Sequence, residues 1–182
     1  MNVKIGCLFL LLNVSHLPLA TAYETALLQR PIKVKVEVLD EPCDIAPGDE
    51  LISIDYGTIV DKYLYINTRT IGEKFQIKLI DCDISISDRV AISFSGLENN
   101  KLPGMLSVIP KSGQGDVGIG IGFETESGEF IPLSDEKQYK LNEGDNSFTF
   151  NTFVQAEIDR LVARSIRLGE FESSAIFHLN YD

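Results

Sequence analysis

Apolar and polar residues alternate with period two along most of the chain. Ile32, Val34, Val36 and Val38 are separated by Lys33, Lys35 and Glu37, which predicts a strand with one buried face. The same pattern predicts strands over residues 51–55, 63–67, 75–80, 90–94, 105–109, 117–123, 147–154 and 173–181. Turn-forming clusters separate these runs: Pro47-Gly48, Glu98-Asn99-Asn100, Pro103-Gly104, Ser112-Gly113, Ser127-Gly128 and Glu143-Gly144-Asp145. Residues 156–167 show helical spacing too weak to assign beside the strand pattern. Many short strands without interleaved helices predict an all-β sandwich or barrel. No internal repeat, low-complexity tract or linker marks a second domain.

The first 22 residues break the alternation and read as an export signal. Lys4 supplies a short positive region, and residues 5–14 form an apolar run interrupted by Gly6, Cys7 and Asn13. Ala20-Thr21-Ala22 then gives the small-x-small spacing that signal peptidase requires. The run is too short to span a bilayer as a helix; a buried N-terminal helix is the alternative reading. Cys7 precedes most of the run, so it does not read as a lipidated cysteine. Cleavage before Tyr23 leaves residues 23–182 as the exported product.

Composition narrows the function classes. Hydrophobic residues make up 44% and charged residues 24%, proportions that suit one domain with a real core. Sixteen Lys and Arg face 27 Asp and Glu, a net charge of −11, and loss of Lys4 with the signal takes it to −12. Such a surface repels phosphate backbones, so nucleic acid and anionic membranes are not expected partners. Two His and three Cys leave little material for metal sites or for nucleophile–histidine catalysis. His178 alternates with Phe177 and Leu179 as an outward-facing strand residue would. No acid stands in a pattern suited to paired-carboxylate glycoside hydrolysis, and the chain has no Trp to form a sugar platform. No enzyme activity, small-molecule substrate, cofactor or metal is expected.

Two motif matches dissolve in context. Gly113-Gln114-Gly115-Asp116-Val117-Gly118 fits G-x-G-x-x-G, but a dinucleotide site needs that pattern to open a helix. Here it runs into Ile119-Gly120-Ile121-Gly122-Phe123, a strand with small residues on one face. Asn13-Val14-Ser15 resembles a glycosylation acceptor but lies in the signal. Export leaves Cys43 and Cys82, which in an oxidising compartment most simply form one disulfide. A redox pair or half a metal site are the other readings, with no C-x-x-C to favour them.

The two ends of the exported chain together resemble subunits of chaperone–usher pili (fimbriae) of Gram-negative bacteria. The C-terminus carries Gly169 at the fourteenth position from the end, then Ala175, Phe177, Leu179 and the penultimate Tyr181 in alternation, matching the family at each position. Val36-Glu37-Val38-Leu39-Asp40-Glu41-Pro42-Cys43 is similar to the family's first strand, and residues 75–82 to the segment that delivers the second cysteine.

That resemblance implies an immunoglobulin-like β-sandwich lacking its last strand. It divides the chain into a signal peptide (1–22), an N-terminal donor-strand extension (23–35) and a pilin domain (36–182). Leu28, Ile32 and Val34 would be the apolar residues of the donor; Arg30 and Val36 stand where family donors carry glycine. Gly169, Ala175, Phe177, Leu179, Tyr181 and Asp182 would form the recognition edge for a periplasmic chaperone and an outer-membrane usher. Neighbouring subunits would be the further partners. The implied role is a structural subunit, minor or adaptor in type, polymerising by donor-strand exchange in a fimbrium on the bacterial surface. An adhesive subunit that binds a glycan or receptor is the alternative.

Overall fold

The computed structural model describes residues 41–111 and 115–181. The export signal, the donor extension with Leu28, Ile32 and Val34, the strand at 32–38, Gly113, Gln114 and Asp182 lie outside the described residues.

The elements in chain order are β1 (Asp44–Ile45), α1 (Asp61–Asn67), β2 (Glu73–Cys82), β3 (Arg89–Gly96), β4 (Leu106–Ser107), β5 (Ile109–Pro110) and β6 (Ile119–Thr125). They continue as β7 (Phe130–Ile131), β8 (Lys137–Lys140), β9 (Gly144–Ala156), α2 (Ile158–Ala163), β10 (Phe171–Glu172) and β11 (Ala175–Tyr181). One sheet runs β1-β2-β9-β6-β4, with β7 also on β6; a second runs β11-β3-β8; β10 pairs with β5. Every pairing is antiparallel.

Alternation explains how the sheets pack. On β9, Phe148, Phe150, Thr152 and Val154 are buried and in register with Ile77, Phe75, Glu73 of β2 or with Phe123 and Ile121 of β6. Phe94 of β3 stacks on Phe123 at 4.3 Å and meets Phe150 edge-on at 5.2 Å. Tyr139 of β8 packs on Phe148 at 5.0 Å. Aromatic side chains from both sheets therefore interdigitate as the centre of the core.

The outer face of β6 is built differently. Gly120 and Gly122 alternate with the buried Ile119, Ile121 and Phe123, as the small-residue face of that strand requires. Gly122 pairs with Phe153, whose ring lies over it and is itself only 1% exposed. The Arg69 guanidinium stacks on that ring at 4.2 Å while also pairing with the buried Glu124. A β-carbon on Gly122 would sit 2.5 Å from Phe153 Cζ. Gly122→Ala should therefore cost about 1–3 kcal/mol by overpacking. Urea unfolding checks this, and an unchanged midpoint would show that the ring moves aside freely.

Several expected elements are corrected. Residues 63–67 are the helix α1, not a strand. Asp61 in its first turn suits the helix dipole, and Leu64, 2% exposed, is its buried contact. Residues 51–55 form no strand; nearby, Tyr56 donates or accepts a 2.6 Å hydrogen bond with Thr152 and ties the segment to β9. The strand at 105–109 is split into β4 and β5, which pair with different partners, β6 and β10. The weak helical spacing at 156–167 holds a real but short helix, α2. The strand expected from Val117 begins at Ile119, because Gly118 turns the chain with φ +85.

Candidate functional site: an open strand edge

Unpaired sheet edges invite other strands, and most edges among the described residues are poor templates. β1, β4 and β7 are two residues long. β8 has four residues, begins and ends in lysine, and pairs with β3 through all of them. β11 is different. It is seven residues long, pairs with β3 in unbroken register, and among the described residues has that neighbour alone.

The inner face of β11 is apolar and incompletely covered. Phe177, Leu179 and Tyr181 stand opposite Phe94, Ile92 and Val90 of β3. Those three β3 residues are 0–2% exposed, whereas their β11 partners are only half-buried. Among the described residues β3 is flanked by strands on both sides and β11 on one, which accounts for the difference in cover. The outer face carries the exposed Ile176, His178 and Asn180. His178 lies there as its alternation requires, with Nε2 2.6 Å from Ser95 Oγ.

The end of this strip contains an unsatisfied polar atom. The Tyr181 hydroxyl is buried and has no hydrogen-bond partner among the described residues. Burial pushes its pKa above the ordinary phenol range, and the nearby carboxylates of Glu41 and Asp44 push the same way. Sequence reasoning singled out Tyr181 as the penultimate residue of the C-terminal alternation and missed both the buried hydroxyl and the two acids. The only available signal was their placement around Cys43, beside the strand that pairs with β2.

Of the recognition-edge residues, Ala175, Phe177, Leu179 and Tyr181 share one strand, and Asp182 lies outside the described residues. Gly169 is not on that strand. It precedes β10 and adopts φ +131, a conformation that favours glycine, so its contribution is to the backbone path. Cys43 and Cys82 are joined in a disulfide with α-carbons 4.1 Å apart. The bond ties the chain entering β1 to the end of β2, beside the Asp83 N–H to Pro42 carbonyl hydrogen bond of 2.8 Å.

Comparison with known proteins gives a consistent picture. A family model described as fimbrial protein matches residues 32–182. A protein of Proteus mirabilis described as a minor fimbrial subunit, PmfF, is 28% identical over 163 residues, 89% of this chain and 90% of that protein. The KS71A fimbrillin of Escherichia coli is 26% identical, covering 84% of each chain. Among solved structures, the P pilus rod subunit PapA superposes with a TM-score of 0.66 at 22% identity, covering 78% of this chain and all of that one. A chaperone–usher pilus subunit matches with the same TM-score and identity over 85% of this chain and 96% of that one. At that identity the likeness establishes the immunoglobulin-like sandwich.

Proposed function

The chain belongs to the fimbrial protein family, whose members are structural subunits rather than enzymes, and on that footing we propose that it assembles by donor-strand exchange as a minor or adaptor subunit. In this reading residues 1–22 direct export, residues 23–35 are the donor and residues 36–182 form the pilin domain. A periplasmic chaperone first covers the open edge, an outer-membrane usher exchanges it for the donor of the next subunit, and the product is a surface fimbrium serving adhesion.

The observation that carries the proposal is β11: a long, regular edge strand whose inward Phe177, Leu179 and Tyr181 are left half-buried while their β3 partners are fully covered. β-strand addition, of which chaperone–pilin complementation is a known instance, supplies ladder hydrogen bonds and alternate side chains together. Four Val-, Ile- or Leu-sized groups entering such a groove contribute roughly 6–12 kcal/mol gross, before ordering costs.

Deleting residues 23–31 tests the division of roles. The disulfide and every described strand remain, so the truncated subunit should still fold and bind chaperone. It should fail to dock onto the preceding subunit, which in vitro assembly followed by gel filtration would read. Loss of folding in the chaperone-bound subunit would make the segment an intrinsic strand and end the donor assignment.

A further inference from the structure

The two short helices lie side by side at the far end of β9. The Ala156 N–H donates to the Thr68 carbonyl at 2.9 Å, where α1 ends, and the Ile166 N–H donates to the Tyr65 hydroxyl at 3.1 Å. The Arg164 guanidinium lies 5.9 Å from the Tyr65 ring centroid. These helices bury little, since α1 covers Leu64 alone and α2 no residue at all. Ile66, Ile71, Ile158, Val162 and Leu168 are instead 71–83% exposed. Ile158 and Val162, four residues apart, share one face of α2. Five such side chains on two adjoining segments form a patch, where a soluble domain ordinarily scatters them singly. Arg164 and Arg167 are exposed in the same segment, within a chain of net charge −11.

The opposite end of the sandwich carries the complement. β9 runs from Gly144 to Ala156, about 40 Å at ~3.3 Å per residue, so its two termini mark opposite poles. At the Gly144 pole the β2–β3 loop meets the β8–β9 turn. Cys82 is in register with Gly144, and the Ile84 N–H donates to the Glu143 carboxylate at 3.2 Å. Residues 81–88 and 142–145 hold Asp81, Asp83, Asp88, Glu143 and Asp145, all exposed, and no Lys or Arg. Ile84 and Ile86 stand among these acids, each 43% exposed. Either pole set against its own copy would oppose like charges, arginine to arginine or acid to acid. Set against each other, the two poles bring apolar groups together and pair opposite charges.

We propose that the α1–α2 pole docks on the acidic pole of a second copy of this chain, with Ile158 and Val162 on Ile84 and Ile86 of that copy and Arg164 and Arg167 facing its acids. This contact is separate from strand addition at β11 and uses none of its residues. It joins two different surfaces, so it repeats along a line instead of closing as a dimer. Apolar burial holds the poles together, and the charges set their register and speed their encounter. The contact therefore weakens as salt rises.

The test mixes two batches of the exported subunit, residues 23–182, one carrying Ile84→Cys and the other Val162→Cys. Mild oxidation is followed by heat denaturation and a non-reducing gel. The covalent dimer should form at least about fivefold more than when Val162→Cys is mixed with Gln76→Cys, an exposed position midway along β2. Raising salt from about 0.05 M to about 0.5 M should lower the yield. Arg164→Glu in the Val162→Cys batch should lower it about fivefold, and Asp145→Lys in the other batch should restore it. A yield no higher than the Gln76→Cys control would overturn the contact. Val162→Cys copies linking to one another in preference to Ile84→Cys would also overturn it, making the helix pole a dimer face. Full yield at high salt and with Arg164→Glu would show that the charges play no part and overturn the pairing as proposed. Repeating the mixture with residues 23–31 deleted separates this contact from the donor reading. The yield should persist; a link lost only there would mean that the tail, not the poles, holds the copies together, and would overturn the pole contact while leaving the donor reading intact.

Discussion

Phe177→Ala and Tyr181→Ala should each cut recovery of the chaperone-bound subunit several-fold and increase its degradation in the periplasm. Each change removes an apolar side chain from the half-buried inner face of β11, a loss of about 1.5–3 kcal/mol where that face is covered by an added strand. The fully buried layer beneath it, Val90, Ile92 and Phe94, is untouched. Folding should therefore suffer less than complex formation does, and a comparison of the two isolates the edge. Co-purification followed by quantitative immunoblotting reads both. Native levels of complex for both variants would overturn the assignment of β11 as the chaperone-binding edge.

The largest effect on stability is expected at the disulfide. Cys43→Ser should cost roughly 2–5 kcal/mol, the usual penalty for removing a native disulfide from a small secreted domain. Both sulfurs belong to the core, at 4% and 2% residue exposure, so the new hydroxyl would also be buried in apolar surroundings. Thermal unfolding of the chaperone-free subunit, or its periplasmic yield, reads the change. A Cys43→Ser, Cys82→Ser double variant loses the same cross-link and buries a second hydroxyl, so it should be at least as destabilised as the single one. Equal stability of the single variant and the native protein would show that the bond adds nothing to the fold.

Much of this architecture can be read from alternation, and the exceptions have physical causes. β2, β3, β6, β9 and β11 are long and one-faced, so apolar residues at every second position announce them. α1 escaped because Tyr63, Tyr65 and Asn67 interleave with Leu64 and Ile66; β propensity favoured a strand, while burial of Leu64 alone satisfies a helix. β1, β7 and β10 are two residues each, too short for any period to show. β8 reads Lys-Gln-Tyr-Lys, a single aromatic among polar residues. Its lysines, which hid it from pattern reading, are what blunt it as an edge.

At the site, the side chains of β11 were legible and their exposure was not. Alternation says that Phe177, Leu179 and Tyr181 face inward, but only the neighbours of a strand decide whether inward means covered. The Tyr181 hydroxyl shows the same limit. A phenol is visible in sequence, whereas an absent acceptor depends on every group that packs around it. Glu157 is the converse case: an ordinary acid in the sequence, it is 2% exposed and binds Asn99 Nδ2 at 3.2 Å and Lys101 Nζ at 3.3 Å. Those contacts fasten the loop over β6 to the start of α2.

Among the described residues, β11 is long and has one neighbour while the other edges are short or lysine-bearing, a contrast that bears on the valence of the proposed assembly. In the donor-strand reading proposed above, a subunit has one acceptor strip and one donor tail, two points of attachment of opposite kind, and would join others head to tail. Branching would need a second acceptor, and β8 with its lysines is ill suited to be one. Assembly built on these parts yields unbranched chains whose length is set by supply and by whatever caps the last open strip.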